Sequence, residues 1–204
     1  MKILKITRKN FKKVVETTIK LIKEGEVIIC PTDTVYGLIC DATNEKAVEK
    51  LFKIKKRTKR KPIPIFVKDL KMAEKFADID KNQEKFLKKV WPGKITTVLK
   101  RKNKLPKILF GRTKTIGLRI PNYEIINQLL MIINSPLTGT SANISNFPPS
   151  TKIKEVLKQF KNQPPTKFGG GQPDLIIDAG NLPKSKPSII IDLTEFPPKI
   201  LPRS

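Results

Sequence analysis

Histidine is missing from all 204 residues of this chain. Its absence excludes a His-based catalytic triad, imidazole acid–base chemistry and a zinc site of the usual Cys/His kind. Cysteine is nearly missing too: only Cys30 and Cys40 occur, both beside apolar strand residues. They read as buried small hydrophobes in a reducing compartment rather than as a disulfide. No apolar run approaches the roughly 18 residues of a membrane span. Met1-Lys-Ile-Leu-Lys opens without an extended apolar segment, so the expectation is a cytoplasmic chain with neither signal peptide nor membrane anchor. Walker A and Gly-x-Gly-x-x-Gly sequences are both absent, and so is an RNA-recognition fingerprint.

Acidic residues are scarce. Eighteen Asp and Glu stand against 42 Lys and Arg, a net charge of +24. That balance favours polyanionic partners such as nucleotides, nucleic acid or an anionic surface, without choosing among them. Much of the excess is lysine dispersed over predicted helices, where it is also a good helix former on a solvated face. The stretch from Lys53 to Lys61 is different, with seven cations in nine residues. Such a cluster repels itself unless an anion sits there, which makes it the best local candidate for phosphate contact.

Periodicity predicts a helix over residues 10–24 ending at Gly25, a strand from Val27 to Cys30, and a helix capped by Thr43 or Asn44 with Ala47, Val48, Leu51 and Phe52 inward. Further strands are expected at Ile63 to Val67, Ile95 to Leu99, Ile116 to Ile120, Leu175 to Ile177 and Ile189 to Ile191. Asp69 and Asp80 read as caps of two more helices, and apolar spacing marks others after Pro121 and around Val156. Gln163 to Gln172, with Gly169-Gly170-Gly171, reads as a flexible loop able to close over a pocket. The order lacks a strict βαβ repeat, so the fold class is α/β (α+β): one domain over 1–204, a twisted mixed sheet with helices packed on it.

The most informative stretch is Pro31-Thr-Asp-Thr-Val-Tyr-Gly-Leu38, two hydroxyls and a phenol directly after a buried strand. It suggests a small-ligand pocket at a strand end, with Gly37 allowing close backbone approach. Three later segments follow in order: Lys55-x-Arg57, then Thr115-Ile-Gly-Leu-Arg119-Ile-Pro121, then Ser141-Ala-Asn143-x-Ser145. Together these four resemble the YrdC-like family of threonylcarbamoyl-AMP synthases, over roughly Val14 to Arg203.

The resemblance implies a YrdC-like fold with a basic concave pocket, and a nucleotidyltransferase that makes threonylcarbamoyl-adenylate from L-threonine, bicarbonate and ATP with Mg²⁺. It implies Lys55 and Arg57 as the groups that neutralise charge in catalysis. The ATP contacts would be Lys55, Arg57, Lys61, Thr115, Ser141, Asn143, Thr151 and Arg203. The threonine contacts would be Thr34, Tyr36, Arg119, Ser141 and Ser188. Thr151 equally suits a helix cap. The product would pass to a tRNA-modifying transferase complex, with contact to tRNA or double-stranded RNA. Departures from the family pattern are Phe66 where many members place His, Asn146 in place of Gly, Ile189 in place of Thr and Thr58 in place of Pro. Two alternatives stay open: a noncatalytic RNA-binding protein of the same fold, and a related enzyme forming a different carbamoyl-adenylate.

Overall fold

A computed structural model describes residues 1–161, 163 and 171–202. The expected loop closure at Gly169 and Gly170 and the nucleotide contact from Arg203 lie outside them. The chain opens with a short strand, β1 (Lys2–Lys5), then α1 (Phe11–Lys23). Helix α1 buries Val14, Val15, Thr18 and Ile22, and Gly25 closes its end at φ +85°, a left-handed position that strains any other residue. Strands β2 (Ile28–Cys30) and β3 (Gly37–Ile39) pair antiparallel around the polar loop 31–36.

Helix α2 (Glu45–Ile54) starts under Asn44, whose side chain accepts from the Ala47 N–H at 3.1 Å, while Thr43 bonds Asp41 instead. The order continues through β4 (Ile65–Phe66), α3 (Leu70–Phe76), α4 (Lys81–Val90), β5 (Ile95–Lys100), β6 (Thr115–Arg119) and α5 (Glu124–Ile133). It ends with β7 (Leu137–Thr138), β8 (Thr140–Ser141), α6 (Ile153–Lys161), β9 (Leu175–Asp178), β10 (Ile189–Asp192) and β11 (Lys199–Leu201). Asp69 and Asp80 cap α3 and α4 through their side chains.

The fold is mixed α/β, and its strands divide between two sheets rather than forming one. The first has the order β1-β9-β2-β3-β8 and the second β11-β10-β5-β6-β4-β7, each mixing parallel and antiparallel neighbours. Strand β2, in the middle of the first sheet, is buried on both faces. Ile28 and Cys30 join a core cluster with Val14 of α1 and Ile126 of α5, whereas Ile29 joins the other cluster with Leu51 of α2. Between β7 and β8 only Gly139 intervenes, so the chain crosses from the second sheet to the first in one residue. The candidate site lies at that crossing. Among the described residues no helix is long and apolar enough to cross a membrane.

Candidate functional site

The polar loop after β2 is locked by its own hydroxyls. Thr32 Oγ1 donates to the Val35 carbonyl at 2.7 Å, accepts from the Thr34 N–H at 3.1 Å, and lies 3.1 Å from Thr34 Oγ1. Such a Ser/Thr turn fixes the loop without a ligand. Tyr36 is fully buried, and its hydroxyl donates to the Gly180 carbonyl at 2.6 Å while accepting from the Ala179 N–H at 3.1 Å. Burial pushes this phenol well above its ordinary range. Tyr36 lines the cavity, but its polar end is committed to the segment after β9.

That cavity, of about 280 Å³, opens between the two sheets. It is just under the usual size range for small-molecule sites. Of the residues singled out in the sequence, Thr34, Tyr36, Arg57, Thr115, Arg119, Ser141 and Ser188 line it. Lys55, Lys61, Asn143 and Thr151 do not. Lys61 is exposed and Thr151 half-buried. The turn before α6 is organised by Ser150, whose hydroxyl accepts from the Lys152 N–H and donates to Glu155 at 2.5 Å. Cys30 and Cys40 are free and buried, with burial pushing both thiols up, Cys40 to about 12, so neither supplies a nucleophile at neutral pH.

Arg119, which the resemblance implies as a threonine contact, already has a carboxylate partner within the fold. Its Nη2 donates to Asp33 Oδ1 at 2.5 Å, Nε donates to the Gly93 carbonyl at 2.8 Å, and Nη1 reaches Thr34 Oγ1 at 3.4 Å. Asp33 uses its other oxygen to accept from the Asn122 N–H. Burial pulls the guanidinium down from its ordinary value and Asp33 counters it. A guanidinium carries five N–H groups, so these three bonds leave two for a ligand in the cavity. Beneath it lies the Phe66 ring, 5.8 Å from the guanidinium carbon, and a Cβ on Gly139 would sit 2.5 Å from that ring. Glycine at the sheet crossing is therefore what admits Phe66 to the cavity wall.

The Lys-x-Arg pair sits at the end of α2. Arg57 lines the cavity while holding the Lys61 and Pro62 carbonyls at 3.2 and 2.8 Å. Lys55 is buried, and its ammonium donates to the Ser141 carbonyl, the Asn143 carbonyl and Asn143 Oδ1 at 2.6, 3.0 and 2.8 Å. Ser188 bonds Thr96 of β5 hydroxyl to hydroxyl at 2.9 Å. The sequence singled out neither Thr96 nor Asp33 as a site residue. Thr96 looks like any strand threonine. Asp33 did carry a signal, being the one acid between Val27 and Cys40.

No carboxylate lines this cavity, and no cluster of metal-binding side chains occurs among the described residues. A divalent ion here would be held by phosphate oxygens of a bound nucleotide and so enter as part of the substrate.

Residues 20–204 match the Sua5_yciO_yrdC family, described as telomere recombination. A Methanocaldococcus jannaschii protein, provisionally named threonylcarbamoyl-AMP synthase, is 38% identical over 96% of this chain and 87% of its own length. The threonylcarbamoyl-AMP synthase of Pyrococcus abyssi is 34% identical over 88% of this chain, which spans only 51% of that longer protein. The crystal structure of Pyrococcus abyssi Sua5 complexed with L-threonine superposes with a TM-score of 0.85 at 31% identity, covering 98% of this chain and 56% of that one.

Proposed function

Because this chain belongs to the Sua5_yciO_yrdC family, we propose that it is a threonylcarbamoyl-AMP synthase, a nucleotidyltransferase serving threonylcarbamoyladenosine formation in tRNA. The observation that carries this reading is convergence: an amino-acid half (Thr34, Arg119, Ser188) and a nucleotide half (Arg57, Thr115, Ser141) line one cavity. The two N–H groups left on Arg119 suit the carboxylate of L-threonine, and the Phe66 wall beside it suits an apolar methyl. Arg57, also in the cavity lining, suits a phosphate of ATP.

In this arrangement bicarbonate loses hydroxide to give CO2, the threonine amine forms an N–C bond to that carbon, and the amine proton leaves with the hydroxide as water. A carbamate oxygen then bonds to the α-phosphorus of ATP as the bond to pyrophosphate breaks. Among the described residues no carboxylate lines the cavity to act as a general base. The chain's contribution is to place the two reactants and to neutralise the pyrophosphate with cations, which is how phosphorus-centred displacements are mainly accelerated.

Contact with RNA is supported by a second observation. The segment after α2 and the segment 101–114 are joined by the Ile63 N–H to Leu109 carbonyl bond and by packing of Gly111 on the Arg60 backbone. Lys56, Lys59 and Arg60 on one, and Lys104, Lys107 and Arg112 on the other, are exposed. None of these six forms an ion pair among the described residues. An unpaired basic lip beside the cavity suits the phosphate backbone of tRNA during hand-off to a transferase complex.

The test is pyrophosphate release from ATP, bicarbonate and Mg²⁺ with and without L-threonine, with mass spectrometry of the nucleotide product. Threonine-dependent release of a threonylcarbamoyl-adenylate is expected. Folded protein that releases nothing with threonine, yet binds RNA, would replace the enzyme reading with the RNA-binding one.

A further inference from the structure

Lys55 and Arg57 are two residues apart and do different things. Arg57 reaches the cavity wall, whereas Lys55 is 1% exposed and lies behind it. The divergence is set by the helix end. The Lys56 N–H bonds the Lys53 carbonyl, and the Arg57 N–H reaches back to the Phe52 carbonyl, with Lys56 left-handed at φ +50°. These are the two bonds of a Schellman C-cap, with lysine where glycine is usual. The cap turns the chain so that one cation enters the protein and the next faces the cavity.

Inside, all three N–H groups of the Lys55 ammonium are used, and every acceptor belongs to Ser141 or Asn143. The Lys55 carbonyl accepts from the Ser145 N–H at 2.8 Å. Ser141 Oγ, on the cavity side, donates to the same Asn143 Oδ1 at 2.6 Å. Four hydrogen bonds therefore tie one lysine to the turn 141–145. Swinging the ammonium out to a phosphate would leave three buried oxygens without that donor, which opposes the movement. Burial and the neighbouring Arg57 pull Lys55 down to about 7.

We propose that Lys55 is a positioning residue: it fixes Ser141 and the turn behind it, makes no contact with nucleotide phosphate, and leaves the phosphate charge to Arg57. The inference rests on the nucleotide reading of the cavity. It differs from the direct phosphate role that the motif alone suggests for both cations.

Calorimetric titration of ATP and of adenosine, at a temperature where every variant is folded, separates the two roles. Lys55→Met is expected to weaken both ligands by the same factor, roughly tenfold. Arg57→Met is expected to weaken ATP and leave adenosine unchanged. A Lys55→Met protein that loses ATP affinity but keeps adenosine affinity would overturn the proposal. Should that variant fail to fold, ¹⁵N NMR of the lysine ammonium groups in the unmodified protein decides. A slowly exchanging Lys55 resonance present in the free protein and retained with ATP supports the cage, and one that appears only with ATP sinks it. If the unmodified protein binds neither ligand, the nucleotide reading itself fails, while the free-protein resonance still reports separately on the cage.

Discussion

Replacing Asp33 by asparagine leaves the Arg119 guanidinium buried without its counter-charge. The two side chains are 3% and 8% exposed, so solvent screens the pair little. Breaking such a pair costs about 3–5 kcal/mol. Asparagine keeps one carbonyl oxygen for Arg119 but loses the second acceptor now used by the Asn122 N–H, so a loss of about 3 kcal/mol is expected. Unfolding entropy of about 2.1 cal/mol/K per residue over 204 residues gives about 430 cal/mol/K, which converts this loss into a fall in Tm of about 7 °C. Differential scanning fluorimetry reads it directly. L-threonine should recover part of the fall, because its carboxylate supplies negative charge beside Arg119. The double variant Asp33→Asn, Arg119→Met should also be more stable than Asp33→Asn alone, since no uncompensated cation remains. A Tm shift under about 2 °C for Asp33→Asn, or strict additivity in the double variant, would refute the ion-pair reasoning.

Gly139→Ala should destabilise by about 1–3 kcal/mol and weaken threonine binding, because the new Cβ meets a buried Phe66 ring at 2.5 Å. Denaturant titration with and without threonine measures both, and a neutral result would mean that the ring does not define the wall. Lys56→Gly should raise stability by about 0.5–1 kcal/mol, since glycine holds the left-handed cap without strain; a loss in the same denaturant assay contradicts this. For Lys55 the folded-state value, about 7, lies below the unfolded value near 10.4. Between about pH 7 and about 10.4 the unfolded chain therefore binds more protons at this site. The stability of the unmodified protein relative to Lys55→Met should rise with pH across that window, and a flat difference would show that the three acceptors dominate.

Loss of ordinary catalytic chemistry was legible at once from composition. A chain without histidine, and with two buried thiols, has neither imidazole nor thiolate chemistry, and since none of its 18 Asp and Glu lines the cavity among the described residues, the wall is left with hydroxyls and arginines that position and neutralise. The helices were legible because each spans about two turns or more with one apolar face. Strands β1, β3, β7, β8 and β11 were not: two to four residues cannot display a period, and the equally short β2, β4, β9 and β10 were legible only as apolar runs. Those short strands are what divide the structure into two sheets and create the crossing at Gly139 where the cavity opens.

The sequence alone determined the excess of cations, the polar loop after a buried strand, and the four segments that carry the family likeness. These are properties of residues in order along one chain. Only the tertiary structure decided which of those residues face the ligand space. It turned Lys55 inward and Arg57 outward within three residues, gave Arg119 a partner 86 positions away in Asp33, and spent the Tyr36 hydroxyl on a distant backbone. The physical reason is that a buried charge or hydroxyl must be satisfied wherever the fold places it, and the group that satisfies it is chosen by three-dimensional proximity, which sequence order does not contain.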